Sequence, residues 1–213
     1  MTEQEWLMDD NPGRWLYPDR MQAMSERKLR LFCAACCRRV WHLLPDGCRS
    51  AVEVAEAYSD GRADRDVLLR SSEVARGIAS DADGNAQDAA DASASAAEED
   101  IRSHAFPVTV CASKAAWRRK GEREAEEAAQ ATLLRDIFGN PFRPVIFSPS
   151  WLTPTVVGIA TAIYADRAFD RLPILADALQ DAGCENDEIL SHCRSEGPHV
   201  RGCWVVDLLT GRK

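Results

Sequence analysis

No apolar run in this 213-residue sequence approaches the about 20 residues that a membrane-spanning helix needs. The first residues, MTEQEWLMDDNPGRW, contain no basic stretch followed by an apolar one, so no secretory signal is predicted and we expect a cytoplasmic protein with no membrane partner. The sequence also lacks a phosphate-binding glycine loop, a dinucleotide-binding turn, a G-x-S-x-G elbow and an H-E-x-x-H pair. These absences leave no catalytic or cofactor-binding residue to predict.

Basic residues are outnumbered by acidic ones, 26 against 34, which gives a net charge of −8 at pH 7. A negative protein repels phosphate backbones and anionic lipids, so the balance does not favour a nucleic-acid or membrane partner. The apolar share of 46% is typical of a folded globular chain. The sequence therefore predicts a soluble protein whose length fits one domain.

Alternating apolar and polar residues, which are typical of strands, are scarce, whereas helical periodicity runs through most of the chain. The pattern predicts an all-α fold: a single helical domain, residues 1–213, of roughly seven to eight helices, with a core from 25–78 and 132–211. The helix starts are expected near Ser25, Arg49, Asp64, Ser113, Thr153, Asp170 and Asn186. The last apolar element, residues 203–209, is also expected to be a helix, although its two adjacent valines leave a strand open. One core shared by both ends is expected to bury Leu29, Phe32, Val40, Leu133, Ile137, Leu175, Leu179, Trp204 and Leu208.

Residues 79–100 are nearly all Ala, Ser, Asp and Glu, with no aromatic and no large aliphatic side chain. Alanine favours a helix, but nothing in this segment is large enough to anchor a core. We therefore predict that 79–131 is an exposed, variable helical insertion, and that 79–100 tolerates shortening.

Two parts of the chain resemble a known family. The strings SERKLRLFCAACCRRVWHLL and AVEVAEAYSDG resemble the N-terminus of an uncharacterised protein family that is multiplied in planctomycete bacteria. LLRDIFGNPFRPV, AFDRLPILADALQDAGC and HCRSEGPHVRGCWVVDLL resemble the C-terminus of the same family. The likeness covers roughly 1–60 and 132–211. It implies a bacterial cytosolic setting and no catalytic residue, since the family has no established activity.

The residue types that bind zinc recur near the C-terminus, where Cys193, His199, Cys203 and His192 are the candidate metal ligands. His192 and Cys193 are neighbours on one predicted helix and point about 100° apart, so one ion is not expected to use both. A site would combine one of them with His199, Cys203 and one further group. The alternative is that the thiols are buried and both imidazoles are satisfied by backbone carbonyls, and we expect that structural role, with no cofactor.

Eight cysteines without an export signal favour reduced thiols rather than disulfides. Cys33 and Cys37 share a helix face, and the pattern favours a small-residue ridge that lets another helix approach closely. A combined site of Cys33 and Cys37 with His199 and Cys203 stays open at this stage.

The first predicted helix is locally basic, with Arg38 and Arg39 beside Trp41. Such a group can contact phosphates and stack on a base. The preferred interpretation is a solvated helix face whose charges pair with the acidic segment 81–100.

These patterns favour a non-enzymatic helical interaction or regulatory module whose partner is another protein. One alternative is a small metal- or thiol-dependent enzyme that uses the C-terminal Cys/His cluster. A second is a nucleic-acid binder that uses the basic first helix.

Overall fold

The computed structural model describes residues 2–117 and 122–212, and every regular element in those two ranges is helical. This confirms the all-α prediction. The described part contains twelve α-helices: α1 (Glu3–Met8), α2 (Pro18–Met21), α3 (Glu26–Arg39), α4 (Asp46–Ser59), α5 (Arg65–Asp81), α6 (Gly84–Ala96), α7 (Ile101–Ala116), α8 (Glu122–Phe138), α9 (Pro154–Asp166), α10 (Leu172–Asp181), α11 (Asp187–Arg194) and α12 (Trp204–Thr210). None of these helices combines the length and apolar character that crossing a membrane requires.

The number of helices exceeds the expected seven to eight for two physical reasons. The short helices α1 and α2 lie in the first 21 residues, where the apolar pattern is too brief to reveal a period. The single polar helix expected from Ser113 is two helices in the structure. Ser113 lies near the end of α7, and α8 starts separately at Glu122.

Local capping signals place most of the helix ends correctly. The side chains of Asp64, Thr153 and Asn186 accept hydrogen bonds from backbone N–H groups three residues ahead, at the starts of α5, α9 and α11. Gly183 follows α10 with a φ of 83°, as a C-terminal glycine should. The cap expected at Asp170 is wrong, because a 3₁₀ turn over Phe169–Arg171 precedes α10.

The chain forms two compact units. The N-terminal unit is Met8–Leu134, and the C-terminal unit combines Met1–Leu7 with Arg135–Lys213. Of the nine side chains expected in one core, seven are buried, whereas Trp204 and Leu208 are partly exposed. That both ends share one domain and one core stays a prediction.

The N-terminal unit is organised around the alanine-rich helix α6, which packs against α3, α4, α5 and α7. Its small side chains let these neighbours approach closely, and the neighbours supply the large apolar groups. The prediction of an exposed segment is therefore wrong for α6. Its buried residues are Ala89, Ala90, Ala92, Ser93, Ala94 and Ala96.

The C-terminal unit has a core of larger aliphatic side chains. Helix α9 contributes Val156, Ala160 and Ile163, and α10 contributes Leu172, Leu175 and Leu179, all of which are fully buried. Helices α11 and α12 pack against this pair and against each other. Cys193 of α11 and Cys203, the residue before α12, belong to this core and border the segment that joins the two helices.

Candidate metal centre

Asp136 lies in the last turn of α8, and its side chain is only 4% exposed. The carboxylate is held from both sides. Its Oδ2 atom accepts a hydrogen bond from the backbone N–H of Val200 at 3.0 Å. Its Oδ1 atom accepts from Nδ1 of His199 at 2.7 Å and lies 3.3 Å from Nε2 of His192. One buried oxygen atom therefore faces two imidazoles.

The two histidines reach Asp136 from different local structures. His192 lies in the last turn of α11, and its Nε2 atom points at Asp136. His199 lies in the segment that follows α11, where its Nε2 atom is 3.2 Å from both the carbonyl oxygen and the hydroxyl of Ser195. An Nε2–H that donates to this carbonyl leaves Nδ1 of His199 as the metal-facing nitrogen, because the second hydrogen bond selects the tautomer.

Cys203 is the residue before α12, and it is fully buried. Its Sγ atom lies 3.2 Å from Nε2 of His192. The carboxylate, the two imidazoles and the thiol thus converge, and their donor atoms all lie within 4.8 Å of one another. Within residues 2–117 and 122–212 these four residues are the one such group of three or more potential metal ligands.

The group is packed by aromatic rings. The rings of His192 and His199 meet edge to face, with centroids 4.7 Å apart and an interplanar angle of 72°. The indole of Trp204 lies against His192 on another side, at a centroid distance of 5.2 Å. These contacts restrict the rotation of His192, so its Nε2 atom stays directed at the centre of the group.

Burial and hydrogen bonding set the protonation of Asp136 and His199. Burial by itself raises the pKa of Asp136, but hydrogen bonds from His192 and His199 outweigh it, so the pKa is lower than usual. Burial lowers the pKa of His199, and the hydrogen bond to Asp136 outweighs it, so this pKa is raised. Both shifts favour a carboxylate at Asp136 and an imidazolium at His199 in the metal-free protein.

The Cys203 thiol is neutral in the metal-free protein. Burial raises its pKa well above the usual value, and the nearby Asp136 carboxylate raises it further. A thiolate at this position needs a positive charge beside it, which a divalent cation supplies.

Two of the donor-atom separations are close to those around a tetrahedral ion. Bonds of roughly 2.0–2.3 Å around Zn²⁺ place neighbouring ligand atoms roughly 3.3–3.7 Å apart. The separations of His192 Nε2 from Asp136 Oδ1 and from Cys203 Sγ, 3.3 and 3.2 Å, lie close to that range. The 2.7 Å contact of His199 with Asp136 is a hydrogen bond, and it has to open by about half an ångström to admit an ion.

The same geometry argues against a nucleophilic thiol. In a Cys/His/Asp triad the base contacts the thiol through one ring nitrogen and the carboxylate through the other. Here a single atom, Nε2 of His192, faces both Cys203 and Asp136. The arrangement places the thiol and the carboxylate at the same ring nitrogen and does not form a proton relay.

Three of the four sequence-predicted ligands, His192, His199 and Cys203, are brought together. Cys193 is not part of the group: it lies in the α9–α12 core, where burial, with a contribution from nearby Cys184, raises its thiol pKa to about 12. The expectation that backbone carbonyls satisfy both histidines is wrong, because both face Asp136, although His199 also meets the Ser195 carbonyl.

Asp136 is the member of this group that the sequence patterns did not point to. It follows Leu133 and Leu134 and precedes Ile137 on a buried helix face. A lone carboxylate inside an apolar stripe costs free energy unless it is paired, which makes it a functional signal. The sequence supplied that signal but could not name the partners.

The basic residues of α3 are used inside the N-terminal unit. Arg38 makes two hydrogen bonds to the buried carboxylate of Glu56, at 2.7 and 2.8 Å, and Arg39 makes the same pair to Glu126. The guanidinium of Arg38 also lies 4.6 Å from the Trp41 ring. The expected pairing of these two arginines with the acidic segment 81–100 is wrong, because closer carboxylates take them.

The N-terminal cysteines form part of a packed helix face. Cys33, Cys36 and Cys37 are fully buried on α3, which contacts α4, α6 and α7. Burial raises the pKa of each thiol. All eight cysteines of the chain are free thiols.

Comparison of the chain with protein-family models, with curated proteins and with solved structures finds no match in any of the three.

Proposed function

We propose that this protein is a non-enzymatic helical interaction or regulatory module whose C-terminal unit binds one divalent transition-metal ion, zinc above others. Asp136, His192, His199 and Cys203 are the ligands. The observation that carries this proposal is the convergence of four donor atoms of metal-binding type within 4.8 Å of one another. Membership of the planctomycete family, a cytoplasmic location and a protein partner belong to the same proposal.

The donor set favours zinc. One thiolate, two imidazoles and one carboxylate match the ligand types that Zn²⁺ takes in proteins, whereas Mg²⁺ and Ca²⁺ prefer oxygen ligands. Four protein ligands also complete a tetrahedral shell and leave no position for a reacting water. This supports a structural ion that joins the end of α8, α11 and the start of α12, rather than a catalytic one.

The charge pattern supports a protein partner over a nucleic acid. Arg38 and Arg39, the strongest candidates for phosphate contacts, are each neutralised by a buried carboxylate. With a net charge of −8, the chain has no electrostatic means of gathering phosphates at this helix.

The alternative of a metal-dependent enzyme has one observation in its favour, a surface cavity that His199 lines together with Cys193 and Ser195. A substrate in this cavity reaches the ion only if one protein ligand leaves the shell. Cobalt substitution separates the two functions. Absorption typical of a four-coordinate site that small anions do not change indicates a structural ion, and a spectrum that azide or cyanide shifts indicates an open one.

Elemental analysis of the protein purified without added metal tests the proposal. We expect one equivalent of zinc per chain, lost in the variants Asp136→Asn, His192→Ala and Cys203→Ser. His42→Ala and Cys111→Ser are the matched controls, since they remove one histidine and one cysteine outside the group and should keep the metal. If wild-type protein contains no metal and binds neither Zn²⁺ nor Co²⁺ in titration, the proposal is wrong.

A further inference from the structure

We infer that Gly139 and Trp204 are positioning residues of the metal centre: the absence of a side chain at Gly139 lets the Trp204 indole lie where it orients His192. The inference rests on the proposed metal site and concerns residues that are not ligands. It connects two places in the C-terminal unit, the residue that ends α8 and the residue that begins α12.

Gly139 is constrained in two independent ways. It ends α8 with a φ of 66°, and its N–H donates to the carbonyl of Arg135 at 2.9 Å. A Cβ atom at this position would lie 3.1 Å from Cγ and 3.2 Å from Cδ2 of the Trp204 indole. These distances are shorter than ordinary carbon–carbon contacts, so a side chain here has to displace the ring.

The indole transmits that displacement to the ligands. Trp204 contacts His192 with a ring-centroid distance of 5.2 Å and directly follows Cys203 in the chain. Asp136 lies three residues before Gly139 on α8. A shift of the indole therefore moves one ligand through ring contact and a second through the backbone. Residues that orient ligands typically change metal affinity by about 10–100-fold when they are replaced.

Gly139→Ala is the test variant, and Gly211→Ala is its matched control. Gly211 ends α12 with a φ of 68°, almost that of Gly139, but a Cβ atom there meets nothing within 4 Å. Both changes place a side chain at nearly the same positive φ, and only Gly139→Ala pushes the indole. We expect Gly139→Ala to weaken Zn²⁺ binding about tenfold in chelator competition and to alter the Co²⁺ absorption spectrum. Gly211→Ala should change neither.

Trp204→Leu completes the test, because it removes the indole, which a side chain at Gly139 would displace and which supports His192. Alone it should weaken Zn²⁺ binding several-fold. In the Trp204→Leu background, Gly139→Ala should lower the affinity by less than about twofold, since no indole remains to be displaced. Should Gly139→Ala not fold, Trp204→Leu by itself still decides whether the indole orients His192.

Wild-type protein that binds no metal contradicts the proposed function and leaves no site to orient. Wild-type binding with an unchanged affinity and spectrum in Gly139→Ala contradicts only this inference. Equal losses in Gly139→Ala and Gly211→Ala would also overturn it, because they would assign the effect to strain at a helix end.

Discussion

Both units bury charged side chains, but they use them differently. In the N-terminal unit the buried side chains of Arg30, Glu56 and Glu126 each form hydrogen bonds with a partner in the same unit. Arg30, only 3% exposed, donates to the carbonyls of Ala96, Glu98 and Glu99 at the end of α6. In the C-terminal unit the donor atoms of four side chains, those of Asp136, His192, His199 and Cys203, lie within 4.8 Å of one another.

The difference separates polar groups that pair with each other from the group that we propose as a binding site. Paired guanidinium and carboxylate groups satisfy each other's hydrogen bonds and neutralise each other's charge, so they do not attract a cation. In the C-terminal unit two imidazoles and a thiol lie beside one carboxylate oxygen. Once the histidines are neutral, these side chains have more lone pairs than N–H and S–H groups to fill them, so lone pairs remain for a cation. The buried polar groups of the N-terminal unit therefore serve the packing of that unit, and those of the C-terminal unit form the metal site that we propose.

The packing of the two units differs as well, and the largest predicted effect follows from it. Deleting residues 83–97 removes α6, which four helices contact in the N-terminal unit. We expect this variant to lose cooperative unfolding and much of its helical circular dichroism, contrary to the tolerance expected from the sequence. A deletion variant with a wild-type melting curve would restore the prediction of a dispensable insertion.

Two single substitutions on α6 test the same packing without removing the helix. Ala90 is fully buried on α6, whereas Ala86 on the same helix is exposed. Ala90→Leu should cost about 1–3 kcal/mol in urea melts because α6 has no space for a larger side chain. Ala86→Leu should stay within about 0.5 kcal/mol.

In the aliphatic core of the C-terminal unit, truncating a large side chain should lower the free energy of unfolding. Leu175 on α10 is fully buried, and we expect Leu175→Ala to lower the free energy of unfolding by about 2–5 kcal/mol. Ile174→Ala is the control on the same helix, because Ile174 is 57% exposed. A single urea transition that shifts as a whole would support one cooperative domain, and a shift of one of two transitions would contradict it.

Cys203→Ser separates two contributions to stability, that of the buried thiol and that of the proposed metal ion. In the presence of a chelator the change should cost about 1–3 kcal/mol, because a hydroxyl replaces a buried thiol. With Zn²⁺ at about 100 times its Kd, wild-type protein should gain about 2.7 kcal/mol that the variant does not gain. Chemical denaturation with and without Zn²⁺ measures both quantities, and Cys111→Ser should keep the zinc-dependent gain. Equal zinc responses in wild type and Cys203→Ser would remove Cys203 from the ligand set.

The smallest predicted effect is a pH dependence confined to the C-terminal unit. The pKa of His199 is raised by Asp136, so in metal-free protein its contribution to stability is complete below about pH 6.5 and is lost as the pH rises through the raised value. The lowered pKa of Asp136 makes its contribution complete above about pH 4, and this is lost as the pH falls through the lowered value. Metal-free stability should therefore be greatest between these limits.

Above about pH 6.5, the affinity for Zn²⁺ should change with pH in the opposite direction to the stability of the metal-free protein. His199 and Cys203 have to release protons to bind an ion, so Zn²⁺ affinity should rise with pH over the range in which metal-free stability falls. Denaturation series at several pH values, with a chelator and with Zn²⁺, test the two opposite slopes. His199→Asn should flatten the metal-free slope above about pH 6.5, and an unchanged slope would contradict the assignment to His199.

Local interactions explain what could be predicted from the sequence. Asp64, Thr153 and Asn186 begin helices by accepting hydrogen bonds from N–H groups three residues ahead, and Gly183 ends one because it adopts a positive φ at low cost. Residue type alone also identified His192, His199 and Cys203 as potential ligands, since few other side chains bind transition metals. All of these inferences depend on chemistry contained within a few residues.

Tertiary structure alone decided how distant residues meet. It brought Asp136 to a histidine 63 residues further along the chain, gave Arg39 a carboxylate 87 residues away, and made the small side chains of α6 the centre of the N-terminal unit. A sequence pattern records whether a side chain is apolar or charged, but not which neighbour fills the space beside it. Burial and ligand geometry are properties of that neighbour, so they appear only when the helices pack.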